Sequence, residues 1–178
     1  GSTAVGTRIA GSCARSLKKV SLELGGKNPT LVFADAPREK LLDTVQRSAF
    51  LNSGQICLCG SRLLVERGIY DSFRDELVAR ARAMVVGDPA DAATQVGPVV
   101  SQAHFDKVMA CIELARAEGG RALCGGEAVK PEGRCADGWF IAPTIIEGLG
   151  PACRSNTEEI FGPVLTLQPF DTDEEALA

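Results

Sequence analysis

Cys57 closes the segment Asn52-Ser53-Gly54-Gln55-Ile56-Cys57, a polar turn between an apolar helix-like stretch and a strand-like one. A loop in that position is where a scaffold presents reactive groups. A free thiol titrates at about 8.5 and is only a few per cent thiolate at neutral pH, so a nucleophilic cysteine needs an activating neighbour. His104 is the single histidine and the only imidazole available for a Cys–His dyad. It shares a helix-like stretch with Phe105, Val108 and Ile112, which suits a structural or solvent-edge role. A carboxylate base or local dipoles then remain as the means of activating Cys57, and the simpler reading is a buried, inert thiol.

Three other segments carry chemistry-bearing groups. Glu23 lies in the otherwise apolar run Val20 to Leu24, just before Gly25-Gly26. Period two puts Ser21 and Glu23 on one face that water could cover; burial of the strand end would instead raise the carboxylate toward the range of a general base. Glu158-Glu159-Ile160-Phe161-Gly162-Pro163 reads either as an acidic turn or as carboxylates for ribose hydroxyls beside a ring that packs on a cofactor. Gly1-Ser2-Thr3-Ala4-Val5-Gly6 sets small residues and hydroxyls at a helix start, where free N–H groups suit a phosphate. It matches neither GxGxxG nor the P-loop, and a plain capped helix is the favoured reading of these residues alone.

The seven cysteines fall at 13, 57, 59, 111, 124, 135 and 153, an odd number without a CxxC pair. That spacing suits small buried hydrophobes in a reducing compartment better than a disulfide framework. With one histidine, a four-ligand zinc site is not expected. The 178 residues are 45% apolar and 24% charged with a formal charge of -4, the make-up of a globular segment. An acidic balance argues against nucleic acid or an anionic membrane surface as partner, and no apolar run reaches the length of a membrane span. The chain opens on Gly1-Ser2-Thr3 without Met, so it carries no information on targeting.

The elements that must hold these groups alternate helix and strand. Ser2 and Thr3 cap a helix to about Arg15, and Val20–Leu24 reads as a strand ending at Gly25-Gly26. Thr30–Phe33 is a short strand, with a helix from Asp35-Ala36-Pro37 to about Leu51. Ser61–Glu66 is a strand; Tyr70, Phe73, Leu77, Ala81 and Met84 mark an amphipathic helix ended by Gly87-Asp88-Pro89. Gln102–Glu118 is a second amphipathic helix closed by Gly119-Gly120. Strands follow at Arg121–Cys124, Trp139–Ile146 and Val164–Pro169, with Pro131–Asp137 a polar loop. This alternation predicts an α/β architecture with a largely parallel sheet and a domain boundary at Gly25-Gly26.

In order, Gly1–Gly6, Leu22–Asn28 (LELGGKN), Asn52–Cys57 (NSGQIC), Gly97-Pro98 with Ser101, Gly138–Thr144 (GWFIAPT) and Glu158–Pro163 (EEIFGP) resemble the aldehyde dehydrogenase superfamily over essentially the whole chain. Gln55–Cys59 followed by Ser61-Arg62 looks most like the 2-aminomuconic and 2-hydroxymuconic semialdehyde dehydrogenases. The resemblance implies Cys57 as nucleophile and Glu23 as general base. It places Glu159 on the nicotinamide ribose and Phe161 beside the nicotinamide, with Leu24 and Gly25 nearby and Gly1 and Ser2 along the pyrophosphate. It implies residues 1–25 as the end of an NAD(P)-binding, Rossmann-type domain and 26–178 as most of a catalytic domain. The cofactor would be NAD, with NADP left open because the selecting acid lies upstream.

It further implies a cytoplasmic homo-oligomer, a dimer or tetramer, acting on a small aldehyde with no nucleic-acid or membrane partner. The asparagine that completes the family's oxyanion site lies upstream of this stretch, and neither Asn28 nor Asn52 matches it. The chain is thus expected to be about a third of such an enzyme and to fold poorly and turn over little alone. A CoA-acylating relative and a non-catalytic protein that kept the fold are the alternatives; the presence of Glu23 disfavours the first, and Glu23 together with Cys57 disfavours the second.

Overall fold

The computed structural model describes residues 1–177. Ser2 caps α1 (Thr3–Ala14), its hydroxyl accepting from the Val5 N–H at 3.3 Å. β1 (Pro29–Val32), α2 (Arg38–Phe50), β2 (Arg62–Glu66) and α3 (Arg67–Arg82) follow, then α4 (Gln102–Ala117). The chain continues through β3 (Arg121–Cys124), β4 (Ala128–Val129), β5 (Phe140–Ile141), β6 (Thr144–Glu147), α5 (Arg154–Thr157), β7 (Val164–Phe170) and α6 (Asp173–Leu177).

Five strands form one sheet in the order β1-β2-β7-β6-β3, and β4 pairs with β5 in a separate ribbon. The β1–β2, β2–β7 and β6–β7 pairs are parallel, and only the edge strand β3 runs antiparallel. The largely parallel α/β sheet expected from the helix–strand alternation is therefore present.

Parallel strands covered on both faces must be apolar on both, and β6 and β7 show how the pleat divides them. Ile145, Leu165 and Leu167 face a core shared with Leu42, Val45 and Phe50 of α2 and Phe73, Leu77 and Ala81 of α3. Ile146 and Val164 point the other way, to Val108, Ile112 and Ala115 of α4. The α3 residues are those whose three- and four-residue spacing marks the buried stripe of the helix.

Two elements depart from the sequence reading. Val20–Leu24 forms no strand: alternation alone makes no ladder, and no described strand lies alongside to accept its hydrogen bonds. Leu22 and Leu24 pack instead on α1 at Gly6, where a Cβ would stand 3.0 Å from the Leu24 methyls. Trp139–Ile146 is two strands, because Pro143 lacks a donor and the chain changes partners there, from β4 to β7 and β3. The polar loop at 131–137 contains a single 3-10 turn, Gly133–Cys135, and is tethered by Arg134 to Asp88. That guanidinium holds the Asp88 carboxyl down at about 2.

Among the described residues, no helix is long and apolar enough to cross a membrane. All seven cysteines are free, but only Cys59 and Cys124 are buried, so the expectation of buried small hydrophobes holds for two of them.

Phe73 is fully buried where α3 meets the sheet, so Phe73→Ala should cost about 3–5 kcal/mol, cavity included. Val100→Ala, at a side chain 80% exposed, should stay within about 0.5 kcal/mol. Thermal denaturation of the two variants side by side checks the core assignment; equal melting points would contradict it.

Candidate active site

Because β1, β2, β6 and β7 are mutually parallel, the segments leading into them gather at one end of the sheet. These are Leu22–Asn28, Asn52–Ser61, Gly138–Pro143 and Glu158–Pro163, four of the segments singled out above.

The Cys57 loop begins where α2 ends. Asn52, Ser53 and Gly54 are consecutively left-handed, at φ 51, 55 and 69. Asn and Gly tolerate that region, whereas Ser needs support. The support comes from hydrogen bonds. The Ser53 hydroxyl donates to the Gly97 carbonyl at 2.8 Å, and Asn52 Nδ2 donates to the Gln55 carbonyl at 3.1 Å. The Gln55 side chain closes the other side, donating to Asn52 O at 3.1 Å and accepting the Val100 N–H at 2.9 Å. Farther along, the Gly60 N–H donates to Ser48 Oγ on α2 at 3.0 Å.

Asn28 Nδ2 donates to the carbonyls of Cys57, at 2.7 Å, and Cys59, at 3.2 Å. Cys57 is solvent-exposed, and among the described residues its N–H has no hydrogen-bond partner. Cys59, two residues on, is buried, and that burial pushes its thiol up, away from the reactive thiolate.

The loop before β7 meets this one backbone to backbone. A Cβ at Gly54 would collide with the Gly162 carbonyl and with Pro163 N, so the two main chains touch where no side chain fits. Phe161 is itself left-handed, at φ 62, an uncommon conformation for a bulky residue. His104 Nε2 lies 2.6 Å from the Phe161 carbonyl, and the two rings meet edge to face at 5.9 Å. Since a carbonyl only accepts, Nε2 carries the proton. Of the two roles weighed for His104, the structural one is realised: Ser101 caps its helix, and the imidazole holds the aromatic loop rather than the thiol. Pro163 O accepts the Thr144 N–H at 2.8 Å, bringing in the end of Gly138–Thr144.

The residues placed around a cofactor fall into one neighbourhood. Gly25 donates its N–H to the Gly1 carbonyl at 2.8 Å, and the Gly1 nitrogen lies 3.1 Å from the Glu23 carbonyl. Leu24 lies on Gly1 and Gly6, and a Cβ at Gly25 would collide with the Glu159 carboxylate. That carboxylate therefore rests on bare backbone, and among the described residues neither of its oxygens has a hydrogen-bond partner. Lys27 is deeply placed beside it, its Nζ buried without a partner. Burial, with Arg62 nearby, pulls that amine down to about 8.

Glu23 is exposed, so the burial expected at a strand end is absent within this chain, and no hydrogen bond joins it to Cys57. The anchors Asn28, Ser53 and Gln55 were not assigned these roles from the sequence, and His104 was read as structural without its partner Phe161. Their only signal was position inside or beside the quoted motifs, since side-chain-to-carbonyl bonds across dozens of residues leave no local pattern. Among the described residues, no three His, Cys, Asp or Glu side chains form a metal-binding group.

Compared with known proteins, residues 1–178 match the family model described as the aldehyde dehydrogenase family. The chain is 44% identical over 177 residues to a 2-aminomuconic 6-semialdehyde dehydrogenase of a Pseudomonas species, covering 99% of this chain and 36% of the relative. It is also 44% identical over 179 residues to a betaine aldehyde dehydrogenase of Cereibacter sphaeroides, covering all of this chain and 36% of that protein. Among solved structures it superposes on a Staphylococcus aureus betaine aldehyde dehydrogenase in complex with NAD+, with a TM-score of 0.94 and 36% identity, over 99% of this chain and 35% of that one. The chain thus spans about a third of the length of the relatives it matches.

The backbone contact between the two loops makes a prediction. Gly162→Ala would press on the Val108 methyls at 2.7 Å, so adding Val108→Ala should recover much of the lost stability. Gly54→Ala meets main chain and a left-handed φ, a strain of about 1–3 kcal/mol before the clash is counted, and no side-chain trimming should rescue it. Melting temperatures of the single and double variants read this directly. Rescue of Gly54→Ala by Val108→Ala would contradict the contact.

Proposed function

The chain belongs to the aldehyde dehydrogenase family, and on that premise we propose that the protein carrying it oxidises an aldehyde to a carboxylic acid with NAD as hydride acceptor and Cys57 as nucleophile. One observation carries the reading. Cys57 is the exposed thiol of a loop pinned from three sides, and its own N–H is left unpaired.

The Cys57 thiolate adds to the aldehyde carbon, forming the C–S bond as the carbonyl electrons move to oxygen. The free Cys57 N–H is a donor for that oxyanion, and one such donor contributes about 3–4 kcal/mol in comparable sites. Bound NAD supplies the acceptor that takes the hydride from the tetrahedral carbon. Around it, Glu159 offers two unpartnered carboxylate oxygens to ribose hydroxyls, and bare backbone at Gly25 leaves room for close approach. Phe161 presents its ring on the same loop, and Ser2 heads α1 at the pyrophosphate end. Loss of hydride leaves a thioester on Cys57. Glu23 takes a proton from water as the water attacks that carbonyl, the C–S bond breaks, and the acid departs with the thiolate restored.

Residues 1–25 are the end of the cofactor domain, and 26–178 belong to the catalytic domain. The apolar side chains Val5, Ile9, Leu17, Val20 and Leu22, exposed along α1 and the segment after it, support that division as a face that a neighbouring unit would cover. The whole protein is a cytoplasmic homo-oligomer on this reading. Its substrate is a muconic-type semialdehyde, from the run Gln55–Arg62 and the similarity to the Pseudomonas relative.

In the full-length protein, Cys57→Ala should abolish aldehyde-dependent NADH formation. Glu23→Gln should keep a pre-steady-state burst of NADH while steady-state turnover falls about 100-fold, the size of a lost general base. Stopped-flow absorbance at the NADH band separates the two phases, and an unchanged steady-state rate in Glu23→Gln would remove the base from the mechanism. For the substrate, kcat/KM on a muconic semialdehyde should exceed that on betaine aldehyde about tenfold or more, a margin that complementary polar contacts supply. The reverse order would overturn that choice.

A further inference from the structure

The side chain of Asn28 has no part in the chemistry above and is not the family's oxyanion asparagine, yet it makes the most direct contact with the nucleophile's backbone. We propose that Asn28 is the positioning residue for Cys57, clamping the nucleophile loop to the segment that carries Glu23. The proposal rests on Cys57 being the nucleophile.

Both acceptors are main-chain carbonyls, Cys57 O at 2.7 Å and Cys59 O at 3.2 Å. Carbonyls only accept, so the amide must present Nδ2, and its two hydrogens serve one carbonyl each. No other side chain of this reach supplies two N–H donors from one atom and no charge: Asp has none, Ser has one, and Gln is a methylene longer. The other end of the clamp is equally fixed. Asn28 O accepts the Arg62 N–H at 3.2 Å, and the next residue, Pro29, pairs with Arg62 in the β1–β2 ladder. Asn28, itself half-buried, therefore reaches the loop from the rim of the sheet.

Two consequences follow for catalysis. Holding the carbonyls on either side of Leu58 fixes the turn from Cys57 to Cys59, so the exposed thiol cannot swing with the loop while its N–H faces solvent unpaired. The same short segment holds Glu23 at its start and Asn28 at its end, so the clamp ties the base and the nucleophile to one piece of chain. A displacement of about 1 Å at reacting groups costs up to about 100-fold in rate, which makes such an anchor matter even though it touches no substrate.

The test uses the full-length protein with Asn28→Asp and Asn28→Ala. Asp keeps the volume and replaces both donors with acceptors facing two carbonyls. If Asn28 only fills space, Asp restores wild-type behaviour; if it clamps, Asp is no better than Ala. Both variants should lose about tenfold or more in kcat, with KM for NAD and the NAD dissociation constant within about twofold of wild type, because the loss is one of geometry at Cys57 rather than of cofactor binding. Asn28→Ser, keeping one donor, should fall between. Hydrogen exchange in the peptide covering residues 55–60 should quicken in Asp and Ala, with the rest of the chain unchanged, and this readout needs no turnover. If the wild-type protein does not oxidise aldehydes, the proposed function fails, and exchange at 55–60 alone decides the clamp. Wild-type kcat in Asn28→Asp, or unchanged exchange at 55–60 in both variants, overturns it.

Discussion

The main chain of Gly54 lies against the main chain of Gly162 and Pro163 with no room for a Cβ between them. The candidate site depends on that contact. On one side of it the chain runs three residues to Cys57; on the other it runs back one residue to Phe161 and three to Glu159. Packing two backbones leaves little play, because main-chain atoms cannot change rotamer to relieve or fill a gap. The thiol and the carboxylate are therefore located relative to one another by peptide units rather than by flexible side chains. The Gly97-Pro98 turn receives Ser53, and Thr144 receives Pro163, so the contact is braced from both outer sides as well.

Topology makes the contact possible. In open parallel sheets, ligands usually bind outside the carboxyl ends of the strands. Here the chemistry-bearing segments precede β1, β2, β6 and β7, so they collect at the amino ends. Four parallel strands send their entry loops to the same side, and the order β1-β2-β7-β6 makes the loops before β2 and β7 immediate neighbours although about a hundred residues separate them in sequence. The antiparallel β3 joins the sheet only at its edge, and it is the segment leaving it, Gly125-Gly126, that meets this rim at Pro143 and Thr144.

The helices and strands were legible in the sequence wherever the side-chain period reflected burial. Phe73, Leu77 and Ala81 sit on the α3 face that their spacing marks, and β1, β2, β3 and β7 fall within a residue or two of their apolar runs. Val20–Leu24 shows the limit: its alternation is real, but a strand is a relation between two segments, and here no described segment pairs with it. The site was legible as a set of motifs and opaque as a mechanism of support. Asn28 reaches 29 residues to Cys57, and His104 reaches 57 residues to Phe161. Contacts of that span carry no periodicity, so the residues that hold the loops look locally like ordinary polar positions.

The left-handed residues explain why so many hydrogen bonds converge on so short a stretch. Ser53 and Phe161 each occupy a conformation that costs an ordinary residue about 1–3 kcal/mol. A single neutral hydrogen bond returns a net of only about 0.5–1.5 kcal/mol, so one per strained residue is on its own a narrow offset. Each strained residue has that one bond, from Ser53 to Gly97 and from His104 to Phe161, and each also has dense packing around it. Ser53 and Gly162 are buried, and the edge of the His104 ring lies against Phe161. The loops are thus held in conformations they would leave if freed, and the restraints lie on the residues flanking Cys57 and on its carbonyl, leaving its thiol and N–H free of partners among the described residues. The Cys57 thiol stands exposed on a frame whose strain is balanced a few residues away. A thiol that must be both fixed in space and open to a substrate requires that division between the residue that reacts and the residues that bear the strain.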